Sequence, residues 1–270
     1  MLIKLGIIGG GVMAEAILTR LFQQQLYQGS EVLISEPDAK RRNFLQQTYQ
    51  VAVTPDNQET IETTDALLLA IKPQILNKVV ERLDLGQPRE NYPLVISILA
   101  GVSLDRLESG FPNYPVVRVM PNTPATVGAG MTAISPGTKV EEHHLTLARS
   151  IFEAVGEVVQ VSESLIDAVT GLSGSGPAFV AMMVEALADG GVASGLPRAI
   201  ATKLAIQTVL GTAQLLQVKE LHPAQLKDQV TSPGGTTITG VAQLERSGFR
   251  SAVIEAVQAA YRRSLELGKS

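Results

Sequence analysis

Hydrophobic and polar positions follow two patterns along the chain, and the pattern changes near residue 162. In the first part, short and almost continuous apolar runs alternate with amphipathic stretches of helical period. Continuous apolar runs are typical of parallel strands covered on both faces, so this part predicts a doubly wound α/β sheet. The predicted strands are Leu2–Ile8, Glu31–Ser35, Ala66–Ile71, Leu94–Ile98, Val116–Met120 and Glu157–Val161. The predicted helices are Val12–Leu26, Asp38–Thr48, Pro73–Leu83, Ser103–Ser109 and Glu141–Ala154.

After residue 162, Ala- and Leu-rich stretches of helical period predict an all-α region. Its predicted helices are Ser164–Leu172, Pro177–Ala193, Pro197–Gln217, Pro223–Thr231, Pro233–Ser247 and Gly248–Leu267. Several are apolar on more than one face, and a bundle of about 108 residues cannot bury that much surface alone. We therefore expect two domains, residues 1–162 and 163–270, and we expect the second to pack against another subunit.

Composition excludes several classes of function. The chain is 45% hydrophobic with a net charge of −4 and no basic stripe, which predicts a folded protein that does not bind nucleic acid. It has no cysteine, which excludes disulfides and thiolate chemistry, and no residues have the spacing of metal ligands. Glycines and Glu15 interrupt the apolar N-terminus, so it does not have the pattern of a secretory signal peptide. The apolar run Pro177–Ala188 is shorter than a membrane span. We expect a cytoplasmic protein without a membrane or metal partner.

The first glycine cluster directly follows the first predicted strand and begins a helix. Gly9-Gly10-Gly11-Val12-Met13-Ala14 has the pattern G-x-G-x-x-A, with Gly9 for a tight turn, Gly11 for close approach of the backbone to a pyrophosphate and Ala14 for packing. Free amides at the start of a helix attract the anion. The pattern predicts a dinucleotide site; the alternative is a glycine turn without a ligand.

The residues after the second predicted strand bear on which dinucleotide binds. Glu36 lies 27 residues after Gly9, where a carboxylate accepts hydrogen bonds from the adenosine ribose, and this favours NAD. Lys40, Arg41 and Arg42 follow, and they would either bind the 2′-phosphate of NADP or form a solvated helix start. The choice of cofactor stays open. Lys72, at a strand end, would either contact a ligand or face water.

Two glycine clusters in the helical part are hard to explain as scaffold. They are Gly171–Ala178, with the sequence GLSGSGPA, and Val230–Ile238, with the sequence VTSPGGTTI. In the second, Ser232 suits a helix N-cap and Pro233 the first helical position, which leaves the following amides pointing outward as a small anion site. The alternative is a tight crossing of helices that requires small residues.

Five segments together resemble one enzyme family, the pyrroline-5-carboxylate reductases. They are GGGVMAEAI, AIKPQ, RVMPNTPA at Arg118–Ala125, GLSGSGPAF and LKDQVTSPGGTTI, and they span nearly the whole chain. The resemblance implies an N-terminal Rossmann domain, a C-terminal all-α dimerisation domain that interlocks two subunits, and further assembly of dimers. It also implies reduction of 1-pyrroline-5-carboxylate to L-proline by NADPH or NADH, the last step of proline biosynthesis.

The resemblance also implies roles for individual positions. The dinucleotide would be bound by Gly9, Gly10, Gly11, Val12, Met13, Glu36, Asn57, Ala70, Ile71, Lys72 and Pro73. The substrate carboxylate would be bound by Ser232, Gly234, Gly235 and Thr236. Thr237 would lie near the ring nitrogen as the candidate catalytic residue. This sequence departs from the family at Glu36, where a serine or a basic residue is common, and at Ala129, where a glutamate is common.

Two other classes of function compete with this interpretation. A β-hydroxyacid dehydrogenase needs a lysine in a Gly-x-x-x-Lys helix, and Gly171–Pro177 has none. A nucleotide-sensing or lipid-binding module would have no reason for an amide site in the helical part. His143, His144 and His222 are interpreted as surface or loop residues.

Overall fold

The first part of the chain folds around one eight-stranded sheet. The computed structural model describes residues 2–86 and 91–268. The strands are β1 (Leu5–Ile8), β2 (Val32–Ser35), β3 (Ala52–Thr54), β4 (Ala66–Leu69), β5 (Leu94–Ser97), β6 (Val116–Met120), β7 (Gly130–Pro136) and β8 (Gly156–Gln160). Their order is β3-β2-β1-β4-β5-β6-β7-β8. Strands β1 to β6 are parallel, β7 is antiparallel to β6, and β8 is parallel to β7.

Eleven α-helices connect and follow the strands in the described part of the chain. They are α1 (Val12–Gln23), α2 (Ala39–Tyr49), α3 (Leu76–Val80), α4 (Leu104–Gly110), α5 (Glu142–Glu153), α6 (Ile166–Val169), α7 (Gly176–Ala193), α8 (Arg198–Lys219), α9 (Pro223–Val230), α10 (Thr236–Arg246) and α11 (Phe249–Gly268). The predicted fold class, a doubly wound sheet followed by an all-α region, is confirmed.

The sequence analysis did not predict two of the strands, and the reason can be identified for each. Strand β3 has only three residues and begins with the exposed Ala52, so it forms no apolar run. Strand β7 contains buried hydroxyl residues, Thr132 and Ser135, which interrupt its apolar pattern. The predicted helix Ser164–Leu172 is divided into a 3₁₀ turn, the short α6 and a π-helical turn over Thr170–Gly174.

The core of the sheet lies in two layers, one on each face. Ile7 on β1 and Ile34 on β2 pack with Ile17 of α1 on one face. Leu69 on β4 packs with Leu107 of α4 on the other. Because the four residues of β1 are all buried, as are those of β2, β4 and β5, the carboxyl edge of these strands is held rigidly.

The chain divides into two compact units, one up to Gly174 together with the residues from Ala260, and the other over Ser175–Ala259. In the first unit, the end of α11 is anchored because Ser264 Oγ donates a 2.6 Å hydrogen bond to the Asp167 carboxylate. The domain boundary predicted after residue 162 stays a prediction.

The second unit has a small core of its own. Among the described residues, its buried apolar cluster consists of Ala188, Ala201 and Ala205, where α7 crosses α8. Large side chains on the same helices are exposed, for example Met182 at 69% and Leu204 at 53%. This unit therefore leaves most of its apolar surface uncovered within one chain.

By length and composition alone, two helical stretches could cross a membrane. They are Glu163–Ala193 and Arg198–Lys219, and each has an 18-residue window of mean hydropathy 1.2. The expectation that no stretch is long enough to cross a membrane rested on the apolar run Pro177–Ala188 alone. The helical stretch that contains this run is 31 residues long. A helix that buries its apolar face against another subunit passes the same test, so this finding is weak evidence for a membrane.

Candidate functional site

The glycine turn lies at the carboxyl end of β1, beside β4. Gly9 has φ +99°, and a Cβ atom added to it would lie 2.6 Å from the carbonyl oxygen of Ala70. The amide of Ala70 donates a 2.9 Å hydrogen bond to the carbonyl of Ile8. Because both the dihedral angle and the space exclude a side chain, Gly9 is the residue that lets the chain turn from β1 into α1.

The start of α1 is open toward solvent. Gly11 is the N-cap residue without a side-chain cap, and a Cβ atom added to it would meet nothing within 4 Å. The amides of Val12 and Met13 have no hydrogen-bond partner among the described residues, and the Val12 side chain is 75% exposed. Free amides and an unobstructed backbone at a helix N-terminus suit an anionic group. These residues therefore fit the pyrophosphate of a dinucleotide.

Gly10, in the middle of the turn, is held from both sides by side chains. Its amide donates a 2.9 Å hydrogen bond to Glu36 Oε2, and its carbonyl accepts a 2.6 Å hydrogen bond from Arg41 Nε. The other carboxylate oxygen of Glu36 accepts from the amide of Asp38 at 3.0 Å. The loop after β2 and the first turn of α2 thus fix both the glycine turn and the direction of the Glu36 carboxylate.

Arg41 connects the turn to Glu15, a half-buried residue of α1. Its Nη2 atom forms an ion pair with Glu15 Oε2, and its guanidinium lies 5.0 Å from the ring centroid of Phe44. Tyr49 Oη donates a 2.8 Å hydrogen bond to the other carboxylate oxygen of Glu15. Thr19 Oγ1 donates to the backbone carbonyl of Glu15 at 2.8 Å and lies 3.1 Å from Tyr49 Oη. Burial raises the pKa of Glu15, but the bonds from Arg41 and Tyr49 outweigh it and lower this pKa below its usual value.

The other residues predicted to bind the dinucleotide also follow strand ends. Asn57 comes shortly after β3, and its Oδ1 atom accepts a 2.6 Å hydrogen bond from Ser35 Oγ at the end of β2. Ala70, Ile71, Lys72 and Pro73 follow β4, and the side chain of Lys72 is exposed. A cavity of about 470 Å³ continues along this edge and is lined by Pro73, Gln74, Ala100, Gly101, Arg106 and Leu267.

The second glycine turn belongs to the other unit and differs from the prediction. Helix α10 begins at Thr236 with Gly235 as N-cap, so the prediction of Ser232 as N-cap and Pro233 as first helical residue is wrong. The reason is that Gly234 adopts φ +66°, which ends the preceding turn before the helix begins. The amide of Gly235 donates to the carbonyl of Ser232 at 3.0 Å, so the outward amides begin at Thr236.

The remaining predicted substrate residues cluster at this helix start. Ser232, Gly234 and Thr236 are exposed, whereas Gly235 and Thr237 are half-buried. Gly235 has no side-chain cap, and Thr237 is the second helical residue. Thr239 Oγ1 is bonded to the carbonyl of Gly235 at 3.0 Å. The turn therefore offers backbone donors and the Thr237 hydroxyl, which match a carboxylate and a hydrogen-bonding neighbour.

The MPNTP segment and the start of the GLSGSG segment, Gly171–Gly174, are neighbours within the first unit. Asn122 is buried, donates from Nδ2 to the carbonyl of Ser173 at 3.0 Å and accepts at Oδ1 from the amide of Met131 at 2.9 Å. A Cβ atom on Gly174 would lie 2.7 Å from Met120 Cε. The Met120 side chain can move aside, so only the asparagine is explained, as a structural residue that joins β7 to the π-helical turn.

Several curated proteins match this chain over its entire length. A pyrroline-5-carboxylate reductase of Synechocystis sp. is 65% identical over 269 residues, covering 100% of both chains. The enzyme of that name from Arabidopsis thaliana is 40% identical and covers 99% of this chain and 96% of its own. The one from Escherichia coli is 39% identical, with 99% coverage of both. The chain belongs to the pyrroline-5-carboxylate reductase family.

Family models and solved structures agree with this assignment. Residues 163–267 match the model described as pyrroline-5-carboxylate reductase dimerisation, and residues 4–101 match one described as NADP oxidoreductase, coenzyme F420-dependent. A pyrroline-5-carboxylate reductase from Coxiella burnetii has a TM-score of 0.90 at 34% identity, covering 100% of both chains. A pyrroline carboxylate reductase from Plasmodium falciparum, solved with NADP bound, has a TM-score of 0.87 at 30% identity, with 98% coverage of both. The exposed helices of the second unit thus belong to the dimerisation region of the family.

Sequence reasoning did not anticipate the contacts of Arg41 and Glu15 with the first turn. The available signal was a first-turn acid on α1 and a basic residue in the first turn of α2, the helices that follow the adjacent strands β1 and β2. In the described ranges 2–86 and 91–268, no group of three or more His, Cys, Asp and Glu side chains could hold a metal ion.

Proposed function

We propose that this chain reduces the C=N bond of 1-pyrroline-5-carboxylate to give L-proline, the last step of proline biosynthesis, with NADH or NADPH as reductant. The observation that carries the proposal is the 65% identity to a pyrroline-5-carboxylate reductase over the full length of both chains. The open amides at the start of α1 support it, because an NAD(P)H-dependent enzyme needs a pyrophosphate site.

The first unit holds the dinucleotide in this proposal. The residues that bind it are Gly9, Gly10, Gly11, Val12, Met13, Glu36, Asn57, Ala70, Ile71, Lys72 and Pro73. The amides of Val12 and Met13 bind the pyrophosphate, and Glu36 accepts hydrogen bonds from the adenosine ribose. When bound, the nicotinamide supplies the hydride. Because Glu36 would repel a 2′-phosphate, its presence favours NADH.

The turn before α10 holds the substrate carboxylate. Ser232, Gly234, Gly235 and Thr236 form this site, with the backbone amide of Thr236 as the first outward donor of the helix. A helix N-terminus of this length stabilises a carboxylate through its amides and its dipole. Fixing the carboxylate also fixes the orientation of the five-membered ring, which limits the positions that its imine carbon can take.

Thr237 is the proposed catalytic residue. The imine nitrogen must be hydrogen-bonded or protonated before the neighbouring carbon accepts hydride. A threonine hydroxyl is a poor acid, so Thr237 orients the iminium or relays a proton from water rather than losing its own proton outright. Among the described residues, no histidine or lysine lies in Val230–Ile238 to act in its place.

Oxidation of the reduced cofactors tests this function directly. NADH and NADPH absorbance is followed with purified chain and 1-pyrroline-5-carboxylate, and the expected result is substrate-dependent oxidation with formation of proline. A parallel reaction with NAD⁺ and 3-hydroxy acids tests the dehydrogenase alternative. Absence of turnover with either reduced cofactor contradicts the proposal, and the ratio of the two rates measures the preference attributed to Glu36.

We further propose a homodimer, assembled into larger oligomers, in the cytoplasm. The dimerisation match over residues 163–267 and the exposed apolar side chains of α7 and α8 support the dimer. Sedimentation at several concentrations measures the assembly, and cell fractionation measures the location. A chain that sediments as a monomer, or that fractionates with membranes, contradicts this part.

A further inference from the structure

Arg41 lies at the place where a cationic side chain would decide between the two cofactors. It is the third residue of α2, just after the loop that carries Glu36. A 2′-phosphate on the adenosine ribose attracts a guanidinium strongly, because arginine forms paired hydrogen bonds with phosphate. An arginine here would thus normally favour NADPH.

In the structure, groups of the protein itself bind the Arg41 guanidinium. Nε donates to the carbonyl of Gly10 at 2.6 Å, Nη2 pairs with Glu15, and the group lies against the Phe44 ring. Side-chain exposures of 26% for both Arg41 and Glu15 show that the pair is half-buried, so water screens it less than a fully exposed pair. Moving Arg41 toward a 2′-phosphate would break these bonds.

Glu15 is itself held in place by a further hydrogen bond, because Tyr49 Oη donates to its second carboxylate oxygen. Thr19 Oγ1 donates to the backbone carbonyl of Glu15 and lies 3.1 Å from Tyr49 Oη. The lowered pKa of Glu15 agrees with a carboxylate that stays charged in this environment. Its anionic form is the one that retains Arg41.

We infer that Glu15 is a specificity-determining residue that acts through Arg41: by holding the guanidinium against the glycine turn, it keeps this cation from the 2′-phosphate and favours NADH over NADPH. Glu15 is therefore a positioning residue, without a contact of its own to the cofactor. The inference rests on the proposed dinucleotide site, and it makes cofactor preference depend on α1 as well as on Glu36.

Glu15→Gln is the variant that tests this, because it keeps the shape of the side chain and removes the charge. Affinities for NADH and NADPH are measured by nicotinamide fluorescence without substrate, and those for 5′-AMP and 2′,5′-ADP by competition. We expect the NADPH/NADH affinity ratio to rise about tenfold, the size of one charged hydrogen bond. Tyr49→Phe, which loosens Glu15 without discharging it, is expected to give a smaller rise in the same direction.

Two further variants separate this effect from a general disturbance. Glu142→Gln removes a first-turn glutamate from α5 in the same way and is expected to leave the ratio unchanged. The double variant Glu15→Gln with Arg41→Gln is expected to lose the gain in NADPH affinity, since the gain needs a free guanidinium.

The outcomes distinguish this inference from the proposed function. If the unaltered chain binds neither NADH nor NADPH, the proposed function fails. If it binds them and Glu15→Gln changes both affinities equally, or the double variant keeps the gain, the inference is overturned while the proposed function stands.

Discussion

The two glycine-rich turns differ in what holds them. At the first, side chains from distant parts of the sequence bind both the amide and the carbonyl of Gly10, and the backbone of Ala70, just after β4, leaves no space for a Cβ on Gly9. At the second, the hydrogen bond from the Gly235 amide to Ser232 is a local backbone contact, and a Cβ on Gly234 would meet nothing within 4 Å. Substitution of a glycine in a turn held by tertiary contacts should change the shape of the turn. Substitution in a locally held turn should mainly change the affinity for its ligand.

The two units that carry these turns also differ in how much apolar surface they bury. The first buries whole strands between two layers of side chains, while the buried apolar cluster described in the second consists of three alanines. Since apolar burial is the main stabilising contribution to folding, the first unit is expected to be stable alone and the second to depend on a partner subunit.

Gly9→Ala should have the largest effect. The added methyl group would overlap the backbone of Ala70, and φ +99° is strained for any L-residue, so we expect a loss of about 3 kcal/mol in the free energy of unfolding. NADH affinity should fall about 100-fold or more. Urea unfolding and nicotinamide fluorescence measure these quantities.

Gly11→Ala is the matched control for the same turn. Its methyl group would meet nothing in the protein, so stability should change by no more than about 1 kcal/mol while NADH affinity still falls. Equal losses of stability in Gly9→Ala and Gly11→Ala would contradict the conclusion that contacts with the rest of the protein exclude a side chain at Gly9 but not at Gly11.

Leu204→Glu should have the next largest effect, on assembly. Leu204 is exposed on α8, and a charge buried at a subunit interface is strongly unfavourable, so we expect dimer affinity to fall about 100-fold. Analytical ultracentrifugation measures it. Leu26→Glu changes an exposed leucine of the first unit and should leave the oligomer intact. If both variants assemble normally, α8 is not the interface.

Thr237→Ala should reduce kcat/KM about tenfold, the value of one hydrogen bond of roughly 1.4 kcal/mol to the reacting nitrogen. Steady-state kinetics measure it, and NADH affinity should stay unchanged because Thr237 belongs to the other turn. Thr237→Ser keeps the hydroxyl and should restore most of the activity. An unchanged kcat/KM in Thr237→Ala would remove this residue from the mechanism.

Gly235→Ala should have the smallest effect. The new methyl group would overlap Ser232 Oγ, which can rotate away, and would lie 3.2 Å from the carbonyl oxygen of Ser232, which a small shift relieves. The fold is therefore retained, and KM for the substrate should rise about fivefold. Gly240→Ala, inside α10 with open space around it, is the control and should leave KM unchanged while stabilising the helix by up to about 1 kcal/mol. A rise of KM in both variants would indicate a general effect on the helix.

Patterns that repeat locally were predictable from the sequence. Continuous apolar runs located β1 and β4, and the glycines after β1 indicated the dinucleotide turn, because both signals come from residues next to one another. The start of α10 was misplaced by three residues, since Ser232 and Pro233 suit a helix start equally well and the conformation of Gly234 decides between the possibilities.

By itself, then, the sequence determined six of the eight described strands, the change to an all-α region, the two glycine turns and the family, all of which depend on residue type and close spacing. Only the tertiary structure decided which side chains hold the first turn. Gly10 meets Glu36 and Arg41, 26 and 31 positions away, because β1 and β2 lie side by side and bring the loop after one strand against the turn after the other. Hydrogen bonds between such distant residues depend on strand pairing, and residue spacing does not encode it.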